Sequence, residues 1–314
     1  MDTSFTTKVT IVPLQEPLGY DQQWLTLGSC FSDNIGRRLE RAGFTTCMNP
    51  FGVLFNPRSI SLALRRIISG KEIRADELFQ QGSVWNHFAF SNLHSSYTPE
   101  STLEGMNRSI NKAVDQFKHT RVLILTFGTA WVYEDIQSGE VVANCHKLPA
   151  DRFRRRKLSV DEIVADYTAL FQELPTDMRI MLTVSPVRHW KDGAHENTLS
   201  KSILQLAVDE LATRFSGVHY FPAYELLIDE LRDYRFYNDD MIHPSDRAID
   251  YIWQSFARFA LSEDTRLITN EIENYRQMEN HRSIHPDSEE NLAFKRKTAQ
   301  RREELLHSYP FLHL

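Results

Sequence analysis

Cysteine is scarce: Cys30, Cys47 and Cys145 are the three among 314 residues. An odd, sparse set in a chain of this length builds no disulfide framework, and it fits a reducing compartment. No apolar run approaches the roughly 20 residues that a membrane-spanning helix requires, so no membrane association is expected. The opening stretch MDTSFTTKVTIVPLQEPLGYD has neither a basic n-region nor an apolar h-region. A secretory signal is therefore not expected there, and the cytoplasm is the expected location. An excess of basic charge is missing as well. Lys and Arg total 36 against 42 Asp and Glu, a net charge of −6, which argues against sequence-wide nucleic-acid binding. Internal repeats and Gly/Ser- or Pro-rich linkers are also lacking. What remains is ordinary globular composition, 41% hydrophobic, 25% charged and 11% aromatic, with length enough for one large domain and an appendage.

The recurring pattern is a short apolar run, a polar or glycine-bearing turn, then helical spacing. Trp24–Leu27 leads into Gly28-Ser29-Cys30, after which Ile35, Leu39 and Ala42 fall on one helical face. Val122–Phe127 is the clearest buried strand, stopped by Gly128, and Ile180–Val184 ends at Ser185-Pro186. Val218–Phe221 forms a shorter run before Pro222. Ser159 with Glu162 reads as a capping box opening a helix to about Glu173. Leu199, Ile203, Ala207, Leu211 and Phe215 give another helix an apolar stripe, closed by Gly217. Strands alternating with helices predict a parallel sheet covered on both faces, with ligands at the carboxyl ends of its strands.

Two stretches, 79–100 and 129–157, read as long loops of the kind that build sites. The first carries Trp85, His87 and His94; the second carries Trp131, Tyr133, Asn144, Cys145, His146 and a basic run from Arg152 to Lys157. Beyond about Leu261 the chain turns to charged helical sequence, including KRKTAQRREELL. The expected division is a main α/β domain over 1–260 and a C-terminal helical extension over 261–314. That extension is expected to pack on the core or to pair with a second copy as a homo-oligomer.

Two constellations carry chemistry. At Leu27-Gly28-Ser29-Cys30-Phe31-Ser32, a nucleophile would stand at the sheet edge and at the positive end of a helix. There, backbone N–H groups can receive an oxyanion and the dipole would favour a thiolate on Cys30. The competing structural role is a helix cap from Ser29 or Ser32, with Cys30 as a small buried hydrophobe. At Asp240-Met241-Ile242-His243-Pro244-Ser245, a carboxylate three residues before a histidine can fix its tautomer and stabilise the imidazolium. Alternatively Asp240 or Ser245 merely caps the helix that follows. His87, His94, Cys145 and His146 match no compact zinc spacing, so no metal is expected.

The turn Gly28-Ser29-Cys30-Phe31 near one end, with Asp240-Met241-Ile242-His243-Pro244-Ser245 near the other, resembles the GSCFA family, a branch of the SGNH (GDSL-type) hydrolase superfamily. Asn49-Pro50-Phe51-Gly52, Thr126–Trp131, Asn144-Cys145-His146-Lys147 and Ser185-Pro186-Val187 fit the same pattern, from about Val9 to Phe259. The resemblance implies a flavodoxin-like three-layer α/β/α sandwich with a central parallel sheet, acyl-ester chemistry and no cofactor. The superfamily's nucleophilic serine is the third residue of Gly-Asp-Ser, which matches Cys30, with Ser29 at the aspartate. Its Asp-x-x-His matches Asp240 and His243. For the oxyanion, Gly52 matches the glycine of the second block, with Asn49 and Asn56 nearby as side-chain alternatives. The third block's Gly-x-Asn-Asp is here Gly128-Thr129-Ala130-Trp131, so its asparagine is absent and Thr129, Asn86 or Asn144 would have to replace it. Losing one such donor typically costs about two to three orders of magnitude in turnover. Trp131, His87, Asn144 and His146 are expected to line the substrate site.

The expected function is hydrolysis or acyl transfer on an ester of a sugar or glycan, through Cys30 or Ser29 with His243 and Asp240. The alternatives are a non-catalytic carbohydrate- or nucleotide-binding protein, and a cysteine peptidase-like enzyme.

Overall fold

The computed structural model describes residues 6–285 and 287–312. Five parallel strands form the central sheet: β1 (Gln23–Gly28), β2 (Thr46–Met48), β3 (Thr120–Phe127), β4 (Arg179–Val184) and β5 (Val218–Tyr220). Their order, β5-β4-β3-β1-β2, is the flavodoxin-like order. Leu25 and Leu27 of β1 stand opposite Leu123 and Leu125 of β3. Alternation sends those leucines to one face, while Trp24, Val122, Ile124 and Met181 point to the other.

Each face is covered by helices, giving three layers. On the first face lie α2 (Pro57–Ser69), α4 (Val160–Gln172) and α5 (Gly193–Arg214), which bury Leu64, Tyr167 and Leu204. α3 (Pro99–Phe117) adds Met106 and Ile110 to the same core. On the second face lie α1 (Cys30–Arg41), through Phe31, Ile35 and Leu39, and α6 (Asp246–Ala260), through Ile252, Trp253 and Phe256. The Ser159–Glu162 capping box opens α4 as its sequence predicts. The expected α/β/α sandwich is the observed fold.

Two helices follow. α7 (Glu263–Glu279) buries Ile272 and Tyr275. Tyr20, whose hydroxyl donates to the Ala42 carbonyl at 2.8 Å, also lies 3.2 Å from the Thr269 hydroxyl of α7. α8 (Glu289–Ser308) buries only Asn291 and Leu305, and Arg301 ties it to Glu271 of α7 at 2.8 Å. Among the described residues no helix is long and apolar enough to cross a membrane.

Three local expectations need correction. Segment 79–100 is not a plain loop but holds the hairpin Phe79–Gln81 with Val84–Asn86 and the start of α3. Segment 129–157 folds into a three-stranded antiparallel sheet, Val141–Val142, Trp131–Asp135 and Phe153–Lys157. Hydrophobic alternation marked neither, because charged and aromatic side chains alternate there. On α5 the buried face runs through Ser200, Lys201, Leu204, Ala207, Val208 and Leu211, whereas Leu199 of the expected stripe is exposed. A lysine and a serine in the buried face rotated the apparent stripe.

Candidate active site

The sheet's carboxyl edge converges at two glycines. Gly28 ends β1 at φ +147°, and a Cβ there would meet the Thr126 carbonyl oxygen at 2.3 Å. Glycine alone lets β1 turn into α1 this close to β3. Gly128 ends β3 where three segments meet: a Cβ would lie 2.9 Å from the Phe55 oxygen, 3.1 Å from His189 Nε2 and 3.4 Å from Ser29 Cβ.

Ser29 is the N-cap of α1, its hydroxyl accepting from the Phe31 N–H at 3.3 Å, and it is buried. The capping role anticipated as the competing reading is therefore occupied by Ser29. Cys30, the first residue of α1, faces a pocket of about 360 Å³. Behind the turn, Asn49 braces the site: its Oδ1 accepts from the Gly28 N–H at 2.8 Å and its Nδ2 donates to Asp33 at 2.5 Å. Burial, and then the Asp33 carboxylate, push the Cys30 thiol above its ordinary range. The thiolate expected from the helix dipole does not form at rest, because desolvation outweighs the helix terminus here.

His243 enters the same pocket from the opposite end of the chain. Asp240 Oδ2 lies 2.6 Å from His243 Nδ1, while Oδ1 accepts from the N–H groups of Ile242 and His243 at 2.8 and 2.9 Å. Those N–H bonds and the imidazole hold the Asp240 carboxyl down at about 2. An ionised Asp240 on Nδ1 leaves Nε2 as the nitrogen that handles a proton. Ser245, not Asp240, caps α6. The turn is braced from β4's loop, where Arg188 donates to the Met241 carbonyl at 3.1 Å.

The remaining expected residues divide. Asn56 lines the pocket, and its Oδ1 caps α2 by accepting from the Ser59 N–H at 2.8 Å, leaving the amide NH₂ as a donor beside Cys30. Thr129 lines the pocket too, but its N–H and that of Gly128 both donate to the Phe55 carbonyl. Its hydroxyl is tied to Ser200 at 3.0 Å and accepts from the Trp131 N–H at 3.2 Å. Gly52 is withdrawn as a donor, since its N–H donates to the Asn49 carbonyl at 2.7 Å inside its own turn. Trp131 lines the pocket as expected. His87, Asn144 and His146 do not; they brace one another. His146 Nδ1 meets Asn92 Oδ1 at 2.7 Å and its Nε2 the His87 carbonyl at 2.9 Å, while Asn144 accepts from the His146 N–H at 2.8 Å. Among the described residues no group of three or more His, Cys, Asp or Glu is placed to hold a metal ion.

Sequence reading missed His189, whose Nε2 is buried without a partner and whose imidazole burial holds neutral, at about 3. Its signal was its place four residues beyond Ser185, at a strand end already singled out. Arg155, hidden in the basic run, lies 4.2 Å over the Trp131 ring. Lys201 was missed too: fully buried, it donates to the Gly128 and Ser185 carbonyls at 2.7 Å each and joins the ends of β3 and β4. Burial lowers its pKa to about 7.

With this geometry in place, comparison with known proteins is decisive at one level. The GSCFA family model matches residues 23–256, from the start of β1 into α6. The chain belongs to the GSCFA family. A carbohydrate esterase of family 3 from Talaromyces cellulolyticus is similar to this GSCFA chain at 10% identity and a TM-score of 0.35, covering 81% of this chain and 99% of its own. No curated protein matches.

Proposed function

We propose that this GSCFA protein is an SGNH-like cytoplasmic enzyme that cleaves or transfers the acyl group of an ester, on a sugar or glycan. One observation carries the reading: Cys30 and His243, more than 200 positions apart, line one pocket, with Asp240 2.6 Å from His243 Nδ1. His243 Nε2 takes the thiol proton as Cys30 Sγ attacks the ester carbonyl. The Cys30 N–H, free at the first turn of α1, and the Asn56 amide receive the oxyanion. The tetrahedral adduct collapses to an acyl-thioester, and the imidazolium returns the proton to the leaving alkoxide. Water or an acceptor hydroxyl, deprotonated by His243, then attacks the thioester and releases the thiol.

A neutral resting thiol makes the imidazole essential, which fits a Cys–His pair rather than a free thiolate. The flat face of Trp131 suits a sugar ring. His243→Ala and Cys30→Ala are each expected to lower turnover of phenyl acetate by about four orders of magnitude or more, with the thermal midpoint retained. Ser29→Ala is expected to keep turnover within about tenfold while losing about 1 kcal/mol of cap stability. The reverse pattern, with Ser29→Ala inactive and Cys30→Ala active, moves the nucleophile to Ser29. Retained activity in His243→Ala removes the hydrolytic reading. The engaged N–H groups of Gly128 and Thr129 favour one alternative, a non-catalytic carbohydrate- or nucleotide-binding protein. Saturable binding of an O-acetylated sugar without turnover would select it.

A further inference from the structure

The wall of the pocket opposite Cys30 is built from cations laid on aromatic faces. The Arg155 guanidinium sits 4.2 Å over Trp131 and the Arg188 guanidinium 3.8 Å over Trp190; Lys191 Nζ is 5.2 Å from the Tyr133 ring centre and donates to its hydroxyl at 2.6 Å. Against these three cations the pocket lining holds one carboxylate, Asp192. Both Asp192 oxygens are taken by the Arg155 fork, although the carboxylate also feels Lys191 nearby. The remaining acid beside the pocket, Asp240, is engaged by His243. Arg188 and Lys191 thus have no carboxylate partner among the described residues, in a chain with more acids than bases.

A half-buried guanidinium stacked on an indole and left without a counter-ion is costly unless a ligand supplies the charge. The aromatic beds keep both cations oriented toward the cavity rather than free in water. Resting on the ester-cleaving reading above, we infer that the substrate carries an anionic, oxygen-rich group, a carboxylate or a phosphate, on the part held away from the scissile ester. Arg188 offers that group a planar fork and Lys191 a point charge. The same positive field draws an anionic substrate into the site, so recognition is salt-dependent.

The test compares three acetyl esters: phenyl acetate, 4-acetoxybenzoate and 4-acetoxyphenyl phosphate. Either anionic ester is expected to exceed phenyl acetate in kcat/KM, by about tenfold relative to the same ratio in Lys191→Gln or Arg188→Gln. Taking the ratio against each variant cancels the intrinsic reactivity of the esters, and the larger of the two ratios separates carboxylate from phosphate. A ratio that is the same in wild type and both variants overturns the inference and leaves the hydrolase standing. Calorimetry with phenol, 4-hydroxybenzoate and 4-hydroxyphenyl phosphate reads binding without chemistry. Tighter, salt-sensitive binding of a charged phenol, lost in the variants, supports the inference even where no ester turns over and the hydrolase reading fails. Equal affinity for all three, or no binding by either charged phenol, overturns it.

Discussion

The two turns that meet in the pocket are built on opposite principles. Gly28-Ser29-Cys30 is held by the fold: it caps α1, sits at the sheet centre, and has no room for a Cβ at Gly28. Asp240–His243 is held by itself: both side chains are nearly half exposed, at 47% and 43%. One carboxylate gathers two N–H groups and an imidazole within a single turn. In the first turn, position and stability are the same property. In the second they separate, so changes there should alter chemistry while leaving the fold alone.

Asp240→Asn tests the separation most severely. An amide oxygen keeps the two N–H bonds, but the side chain no longer fixes the tautomer or balances an imidazolium. Turnover should fall by about three orders of magnitude with an unchanged thermal midpoint. A comparable loss of melting temperature would show that the two turns are not different in kind. Gly28→Ala should do the opposite. With the new Cβ facing the Thr126 oxygen at 2.3 Å in a left-handed conformation, about 2–4 kcal/mol of unfolding free energy should disappear in urea titration. Residual activity should track the folded fraction.

Lys201 gives the smallest and most specific effect. Its folded pKa of about 7 lies below the ordinary lysine value of 10.5. Between these values the unfolded chain binds more protons than the folded one, so stability rises with pH. From pH 7 to about 8.5 this group contributes at most about 1.4 kcal/mol per pH unit. Above that range Cys30 and Cys47, with raised values, act in the opposite sense. Urea titrations across this window should show the slope in wild type and its absence in Lys201→Met. An unchanged slope would mean that the lysine does not set it.

Legibility in the sequence followed the same divide. Val122–Phe127 and Ile180–Val184 were plain because an uninterrupted apolar run has few other uses, and the cap residues Ser159 and Glu162 declare a helix directly. Asp240 and His243 were legible because their interaction is local. Asn56 stood out only as one of several nearby amides, since its partner at Ser59 is local but its neighbour Cys30 is not. Arg155, His189 and Lys201 were hidden because their roles arise from tertiary burial. A basic run reads as solvated surface until a strand turns one arginine inward, and a lysine on a helix reads as exposed until two strand ends close over it. The engaged N–H groups of Gly52, Gly128 and Thr129 were invisible for the same reason: backbone pairing across segments leaves no mark on residue type.

The order in which the strands join the sheet also sets a sequence of events during synthesis. β1, which presents Cys30, lies at the middle of the sheet and leaves the ribosome early, whereas the turn carrying the histidine comes just ahead of α6, whose apolar face packs with that of α1. A nascent chain that has assembled its first strands therefore displays a sulfur with no base beside it. Because burial and Asp33 keep that sulfur protonated, it stays inert until the last core helix docks. Emergence of the final elements thus arms the molecule.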